Sequence, residues 1–372
     1  MSVYPDTFKR AEVAPIYKKN DFLIRSNYRP VSVLTATSKV VESLMSDQIN
    51  TFFNDILSVH LSAYRKHYSC NNVLLKCIED WRAALDKNET VACVMMDLSK
   101  AFDSLPHGLL IAKLNAYGFS AQSCTFIQSY LSNREQRVKL GSKHSSWECL
   151  KRGVPQGSIL GPLLFNIFLN DLFYTCNSVA IFNYADDNSL SYHHTDPLVV
   201  KNVLENSCEI AIKWFKDNRM QANPDKFQAI TLSRNSSNQI PHFNVNGIEI
   251  IPEQTAKLLG IHLDDKLNFD EHISTLCLRA AQQINAFYRI SPMLSNSGKL
   301  KVYDAFILSN FNYCPIVWHN CGLLNTRKVE KMNKRALKVV FGDRTSSYKD
   351  LLSKSDRPML YAHQEAYGCS DF

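Results

Sequence analysis

Short apolar runs alternate with amphipathic stretches through the middle of the chain. Residues 91–96 form a continuous apolar run of strand length, and the apolar spacing across residues 106–118 is that of a helix. A second apolar run, residues 179–184, meets the acidic pair Asp186-Asp187 and resumes at Leu190. Such an interruption is typical of a β-hairpin, here with acidic residues at its tip. The pattern predicts an α+β fold with antiparallel strands.

Further elements follow the same two periodicities. Ser158 is a candidate N-cap for an apolar helix over about 161–174, and residues 200–214 repeat apolar positions every three or four residues. Residues 227–232 predict a strand, and residues 243–251 predict a hairpin around Asn246-Gly247, a favoured two-residue turn. From about Asn268 the pattern becomes helical, with segments near 270–290, 297–318 and 325–341. We therefore expect a separate helical module there.

The composition is that of a folded protein. Of 372 residues, 45% are hydrophobic and 21% charged, with only 12 Gly and 13 Pro, which excludes a disordered or collagen-like chain. The longest largely apolar stretch, residues 159–169, is far shorter than the ~20 residues of a membrane span. The 11 cysteines form no C-x-x-C pair, and the first residues lack the apolar segment of a secretory signal. We expect no disulfide framework, no structural metal, no membrane association, and an intracellular, reducing compartment such as the cytoplasm or nucleus.

The net charge of +7 is concentrated in two regions. Residues 1–40 contain seven Lys and Arg against three Asp and Glu, and residues 324–341 contain six against one. Two basic regions around a slightly acidic middle suit a protein that clamps a polyanion around a cation site. Ordinary solvated lysine-rich faces would give the same counts, so charge alone leaves both interpretations open.

Three carboxylates stand where the predicted strands end. Asp97 follows the strand at 91–96, and Asp186 and Asp187 lie at the tip of the hairpin. Carboxylates at the ends of apolar strands are unfavourable unless a cation compensates them, and hard oxygen ligands suit one or two Mg²⁺ ions shared with substrate phosphates. Taken singly, each has a simpler explanation, because Asp-Asp is common in turns and Asp97 can cap the turn at 98–102.

The acids belong to a set of motifs that occur in a fixed order. The set comprises Pro15-Ile-Tyr-Lys-Lys19, Asn27-Tyr-Arg-Pro-Val-Ser-Val-Leu34, Met96-Asp-Leu-Ser-Lys-Ala-Phe-Asp103, Gly153-Val-Pro-Gln-Gly-Ser158, Leu160-Gly-Pro-Leu-Leu-Phe165, Asn170-Asp-Leu172, Tyr184-Ala-Asp-Asp187, Asn223-Pro-Asp-Lys226, Leu258-Leu-Gly-Ile261 and Asn312-Tyr-Cys-Pro-Ile-Val-Trp318. Together they closely resemble the reverse transcriptases of non-LTR (LINE-type, jockey-like) retrotransposons over nearly the whole chain. A lone Tyr-x-Asp-Asp is a weak signal, whereas the full set is specific. One departure is Asn188, where Thr or Ser commonly follows the acidic pair.

The resemblance implies a right-hand polymerase, with an antiparallel palm sheet and a helical thumb. Residues 1–90 would form N-terminally incomplete fingers and the approach to the palm. Residues 91–265 would form the palm, with 120–150 connecting fingers and palm, and residues 266–372 the thumb and C-terminal tail.

The implied activity is RNA-directed DNA polymerisation by two-metal nucleotidyl transfer. A DNA primer would be extended with dNTPs on an RNA template, with no stable protein partner. Asp97, Asp186 and Asp187 would be catalytic, and with Leu98 they would form the binding set for two Mg²⁺ ions, with Mn²⁺ as an alternative.

The resemblance also assigns residues to the substrates. Phe102 would pack against the sugar, and Gln156 with Gly157 would contact the incoming nucleotide and the template. Lys19 and Arg29 would bind the triphosphate, and Lys226 would protonate or neutralise the leaving group. Leu259 and Gly260 would bind the primer backbone. On the helix predicted at 325–341 one face is basic and carries Arg327, Lys331, Lys334 and Lys338, and in a thumb this face would follow the primer–template backbone. Each role has a simpler alternative. Phe102 would be a core aromatic, Gln156 a loop amide and Lys226 a surface charge. The helix at 325–341 would be an ordinary amphipathic surface helix.

Two other functions compete with polymerisation. A truncated relic or recruited descendant would bind nucleic acid without polymerising, because incomplete fingers would prevent closure on the nucleotide. A metal-dependent nuclease using the same acids would need a general base for water, and none is obvious in the sequence. Primer extension on an RNA template discriminates among these hypotheses.

Overall fold

The computed structural model describes residues 3–99, 101–235 and 240–361 of the chain. The strands are β1 (Arg10–Tyr17), β2 (Tyr28–Val33), β3 (Thr90–Met96), β4 (Leu98–Ser99), β5 (Glu135–Leu140), β6 (Lys143–His144), β7 (Glu148–Cys149), β8 (Ala180–Tyr184), β9 (Asp187–His194), β10 (Gln221–Ala222), β11 (Gln228–Leu232), β12 (Phe243–Val245), β13 (Ile248–Ile250), β14 (Thr255–Leu258) and β15 (Ile261–Asp264). The helices are α1 (Ala36–Phe53), α2 (Cys70–Asp86), α3 (Ala101–Ser104), α4 (His107–Ala116), α5 (Ala121–Leu131), α6 (Leu160–Leu169), α7 (Leu172–Thr175), α8 (Pro197–Asp217), α9 (Asp270–Ile290), α10 (Asn296–Val302), α11 (Ser309–Phe311), α12 (Pro315–Trp318), α13 (Leu323–Phe341) and α14 (Tyr348–Ser355). No helix in these ranges is long and apolar enough to cross a bilayer. Lys100 and the last part of the predicted tail, 362–372, lie outside the described residues.

A four-stranded antiparallel sheet forms the centre of the fold, in the order β11-β3-β9-β8. β3 is buried along its whole length, and its side chains alternate between two apolar clusters. Ala92, Val94 and Met96 face one cluster, while the residues between them face the other. Because both faces are covered, the strand reads as a continuous apolar run, and the strand predicted at 91–96 is confirmed. The hairpin predicted from residue 179 onward is confirmed as β8 and β9.

The two clusters divide the helices between the two sides of the sheet. Helices α1, α4, α5, α6 and α8 pack on the first side. The second side contacts α2, the β14–β15 hairpin and the C-terminal helices α9, α12 and α13. The predicted helical module after Asn268 is confirmed, and its core is continuous with the second face of the sheet.

A second sheet joins the N-terminal strands to a later segment. β1 pairs antiparallel with β2 and parallel with β5, which in turn pairs with β6 and β7. Strand β5 belongs to residues 120–150, so this segment is physically attached to the N-terminal hairpin.

Two predicted helices are interrupted. The helix expected over 161–174 ends at Leu169 and resumes at Leu172. The reason is that Asn170 turns inward, accepting a hydrogen bond from the Ser58 amide (2.7 Å) and donating one to the Ile56 carbonyl (3.1 Å). At the start of α6, Ser158 Oγ accepts from the Gly161 amide at 3.0 Å, as expected of a capping residue.

The segment expected to be helical over 297–318 is also broken. A π-helical turn, Tyr303–Leu308, separates α10 from α11. The chain then breaks at Cys314, which has a left-handed φ of 46°, and α12 begins at Pro315. Proline disfavours a right-handed helical conformation in the residue before it, which explains the break.

Candidate active site

The acidic turn between β8 and β9 has only two residues and is stabilised by side-chain hydrogen bonds. Tyr184 pairs with Asp187, so only Ala185 and Asp186 form the turn, and Ala185 has a φ of 58° that is uncommon for a residue other than glycine. Buried Asn183 donates to the Ala185 carbonyl (2.9 Å) and to Asn188 Oδ1 (2.9 Å). Asn188, also buried, donates to the Asp186 carbonyl at 3.1 Å. The departure noted at Asn188 therefore has a structural role, because the asparagine pair holds the turn.

The fold brings the three predicted catalytic acids together. Met96, the last residue of β3, pairs with Asn188, so Asp97 leaves the sheet beside the acidic turn. Burial raises the pKa of Asp187 to about 6, and the negative charges of Asp186 and Asp97 add to the effect. Burial also raises the pKa of Asp186, with the charge of Asp97 contributing. The three side chains therefore repel one another, and a cation would relieve the repulsion.

Lys226 forms an ion pair with Asp97. Its Nζ is 2.9 Å from Asp97 Oδ2, while the Asn223 amide donates to the Asp97 carbonyl at 3.0 Å. The short strand β10 pairs with β4, which brings the Asn223–Lys226 motif to this position. A positive charge thus stands beside Asp97, and the role of Lys226 towards the leaving group stays a prediction.

The acids do not form a ready-made metal cage. Among residues 3–99, 101–235 and 240–361, no group of three or more His, Cys, Asp or Glu side chains is arranged to hold a metal ion. Mg²⁺ is commonly held by one or two carboxylates together with substrate phosphates. The clustered carboxylates of Asp97 and Asp186 fit that mode. The side chain of Leu98 is buried in the core, so only its main chain is available to a metal.

An aromatic wall stands next to the acids. Phe102 stacks on buried Phe165, with ring centroids 4.6 Å apart, and Tyr64 meets its edge at 6.2 Å. Burial raises the pKa of Tyr64, and so does the charge of Asp186, whereas the charge of Arg29 lowers it. Tyr64 therefore pairs with Phe102 and is close enough to Asp186 to sense its charge. Sequence reasoning missed it because residues 61–69 carry no periodicity and no chemical motif.

The loop with Gln156 packs closely on two neighbours. Gln156 Nε2 donates to Asp103 Oδ1 (3.0 Å), and the Gln156 carbonyl accepts from the Ser32 amide (2.7 Å). Gly157 has a φ of 112°, and a Cβ there would lie 2.7 Å from the Ser32 carbonyl oxygen, so this position needs glycine. Asp103 was missed as a positioning residue, although it directly follows Phe102.

The predicted triphosphate residues extend from the β1–β2 hairpin. Arg29 is exposed on β2, and its positive charge lowers the pKa of Asp186. The positive charge of Lys18 lowers the pKa of both Asp186 and Asp187, although the sequence had pointed to Lys19. Lys19 is exposed in the same hairpin, and its role stays a prediction.

The remaining predicted residues lie farther along the chain. Leu259 and Gly260 form the two-residue turn between β14 and β15. On α13, Arg327 and Lys331 are exposed, whereas Lys334 and Lys338 are half-buried and Lys338 Nζ donates to the Arg344 carbonyl at 2.8 Å. Their contact with primer and template stays a prediction.

Comparison with known proteins covers most of the chain. Residues 16–263 match the family described as reverse transcriptase (RNA-dependent DNA polymerase). The chain is 26% identical over 352 residues to the probable RNA-directed DNA polymerase from transposon BS of Drosophila melanogaster, covering 91% of this chain and 39% of that protein. It is 24% identical over 352 residues to the RNA-directed DNA polymerase from mobile element jockey of the same species, covering 91% and 38%. The chain therefore spans about two fifths of the length of these curated relatives.

The structure is similar to a solved one. The apo telomerase from Candida tropicalis aligns with a TM-score of 0.54 and 12% identity, covering 94% of this chain and 60% of that one. At this identity the likeness concerns the fold alone.

Proposed function

This chain belongs to the reverse transcriptase (RNA-dependent DNA polymerase) family, and on that premise we propose that it extends a DNA 3′-hydroxyl on an RNA template by nucleotidyl transfer. The predicted likeness to non-LTR retrotransposon enzymes and the predicted right-hand polymerase fold are confirmed. The observation that carries the proposal is the position of Asp97 beside the Asp186-Asp187 turn, where burial and mutual repulsion raise the pKa values of the latter two.

The proposed mechanism depends mainly on positioning and charge, as is usual in phosphoryl transfer. Asp97 and Asp186 would hold Mg²⁺, with Asp187 assisting; bound there, the metal would lower the pKa of the primer 3′-hydroxyl and neutralise the triphosphate and the departing pyrophosphate. Lys18 and Arg29 of the β1–β2 hairpin, whose positive charges act on the acids, would attract the triphosphate. Lys226, next to Asp97, would neutralise the leaving group.

The proposed partners are an RNA template, a DNA primer and dNTPs. We place the fingers in residues 1–90, the palm in 91–265 and the thumb in 266–372. The pairing of β5 with β1 supports a connection between fingers and palm within 120–150.

A second candidate is a nucleic-acid-binding protein that does not polymerise. The observation that favours it is the ion pair between Lys226 and Asp97, which gives a predicted metal ligand a protein partner. The two candidates differ in one measurement, which is extension of a primer.

Primer extension on an RNA template with Mg²⁺ tests the proposal. Wild-type protein should extend the primer, and Asp97→Asn and Asp186→Asn should abolish extension. Both variants should keep primer–template affinity within about tenfold, ~1.4 kcal/mol, because contacts with the phosphate backbone dominate that affinity. Asp47→Asn, at an exposed position on α1, should extend like the wild type.

Two results would count against the proposal. Binding without extension by the wild type would support the second candidate. Loss of duplex affinity in step with loss of extension in the Asp97 and Asp186 variants would contradict their assignment as metal ligands.

A further inference from the structure

The motif at residues 312–318 reaches from the thumb to the turn that is predicted to hold the primer. Tyr313 Oη donates a hydrogen bond to the Leu259 carbonyl at 2.6 Å. The Tyr313 ring also lies against the next residue, because a Cβ built on Gly260 would be 3.4 Å from Tyr313 Cε1. One tyrosine therefore contacts both residues of the turn.

The turn needs such support because of its own sequence. Leu259 and Gly260 have φ values of 46° and 86°, so both central residues lie in the left-handed region typical of a type I′ turn. Asparagine and glycine suit this turn, whereas a bulky residue such as leucine at positive φ is a true outlier. The Asn246-Gly247 turn in the same chain has φ values of 51° and 81° with the favoured residues. Leu259 therefore keeps an unfavourable conformation that its surroundings must impose.

Tyr313 is itself firmly anchored. Its carbonyl accepts a hydrogen bond from Nε1 of Trp318 at 3.1 Å, and Trp318 is buried in the apolar cluster on the second side of the central sheet. Cys314, between them, has a left-handed φ of 46° and precedes Pro315 at the start of α12. The hydrogen bond from the buried Trp318 indole and the backbone conformation at Cys314 and Pro315 thus fix the position of Tyr313.

The same region borders the acidic turn. Helix α12 packs against α2, which begins at Cys70. Helix α2 also packs against β8, which ends at Tyr184, the residue before the acidic turn. Helix α2 therefore connects the region of Tyr313 with the strand that leads to the acids.

We propose that Tyr313 is a positioning residue that holds the Leu259–Gly260 turn in its left-handed conformation, so that the thumb sets where the primer terminus lies relative to the acids. This inference rests on the proposed polymerase function and deepens it. It gives the motif at 312–318 a role in placing the 3′-hydroxyl, without any contact between Tyr313 and the reacting atoms.

The test compares two tyrosine-to-phenylalanine variants. Tyr313→Phe keeps the ring and removes the hydroxyl that bonds Leu259. Tyr288→Phe is the matched control, because Tyr288 is likewise an exposed thumb tyrosine whose hydroxyl makes one hydrogen bond, here with Arg344 at 2.9 Å. Amide hydrogen exchange across residues 255–264 and single-turnover primer extension at saturating dNTP, normalised to active sites, are measured for both.

Exchange in the turn should rise about fivefold in Tyr313→Phe, which corresponds to the loss of a hydrogen bond worth ~1 kcal/mol. The rate of nucleotide addition per active site should fall by a similar factor, with the KM for dNTP unchanged, because a misplaced 3′-hydroxyl slows chemistry and not nucleotide binding. A general folding defect would instead reduce the fraction of active sites and leave the rate per site unchanged. Tyr288→Phe should match the wild type in every measurement.

A double variant tests the part played by the turn sequence. In a Leu259→Asn background the strain is smaller, so Tyr313→Phe should raise exchange by only about twofold. An equal rise in both backgrounds would overturn the strain argument.

The outcomes separate this inference from the proposed function. No extension by the wild type would overturn the polymerase function, whatever the exchange data. Extension by the wild type with unchanged exchange, or an unchanged rate per site, in Tyr313→Phe would overturn the role of Tyr313 alone.

Discussion

Replacing Phe102 with alanine should raise the use of ribonucleotides relative to deoxynucleotides. The ring is half-buried, stacked on Phe165 with ring centroids 4.6 Å apart and in a T-shaped pair with Tyr64 with ring centroids 6.2 Å apart. These neighbours restrain the ring, so it cannot easily swing away from a bulkier sugar. Phe102 also lies five positions after Asp97, which would hold the metal bound to the same nucleotide.

Two free energies determine the expected size of the effect. A 2′-hydroxyl placed against the ring would lose its water partners without gaining an acceptor, at a cost of about 1 to 3 kcal/mol. That cost corresponds to roughly five- to over a hundredfold in relative rate. Removing the ring also sacrifices its packing on Phe165, on the order of 2 kcal/mol of stability for a half-buried aromatic. The loss of stability affects both nucleotides equally, whereas the loss of the steric barrier favours only the ribonucleotide.

The assay is the ratio of kcat/KM for dNTP to that for the matching rNTP. Phe119→Ala is the control, because Phe119 is also half-buried and also pairs with two rings, those of Phe52 and Phe53, away from the acids. Phe119→Ala should lower both rates together and leave the ratio unchanged. If Phe102→Ala remains active and its ratio also stays unchanged, the ring does not select the sugar.

Two further predictions concern the thumb. The first replaces the four basic residues of α13 with alanine, namely Arg327, Lys331, Lys334 and Lys338. Primer–template binding should weaken, and the slope of log affinity against log salt concentration should become less steep by up to ~4 if every residue contacts a phosphate. An unchanged slope would make α13 an ordinary surface helix. Burial holds the pKa of His272 at about 4, with the charges of His262 and Lys257 contributing, while an unfolded histidine titrates near ~6.5. Because the unfolded chain binds this proton more readily, the free energy of unfolding should decrease by up to ~3 kcal/mol as the pH falls from about 6.5 to about 4. His272→Phe should flatten that part of the profile measured by urea unfolding, and identical profiles for both proteins would contradict the assignment.

The palm sheet could be predicted because its signals are local. Strand β3 is covered on both faces, so all of its residues are apolar and the strand stands out in the sequence. The acidic turn could be located because Asp186 and Asp187 interrupt two apolar runs that pair with each other. Motif order then supplied candidate roles that periodicity alone could not.

The site residues that sequence analysis missed depend on interactions between distant parts of the chain. Tyr64, Asp103 and Lys18 interact with the site through residues 35 to 169 positions away in sequence, and the sequence around each of them does not indicate those interactions. The helix break at Asn170 has the same cause, whereas the break at Cys314 follows from its neighbour Pro315. Asn170 is drawn inward by main-chain groups near residue 57, and no window around residue 170 contains that information.

Two features of the acidic turn depart from what stability alone favours. Ala185 has a φ of 58°, a conformation that is disfavoured for residues other than glycine and asparagine. In the same turn, burial raises the pKa of Asp187 to about 6, with the charges of Asp186 and Asp97 contributing. A chain selected for stability alone would avoid both features, since a glycine in the turn and a single acid at the strand end would remove them. Their presence in one turn beside Asp97 therefore supports the proposal that the chemistry takes place at this end of the sheet.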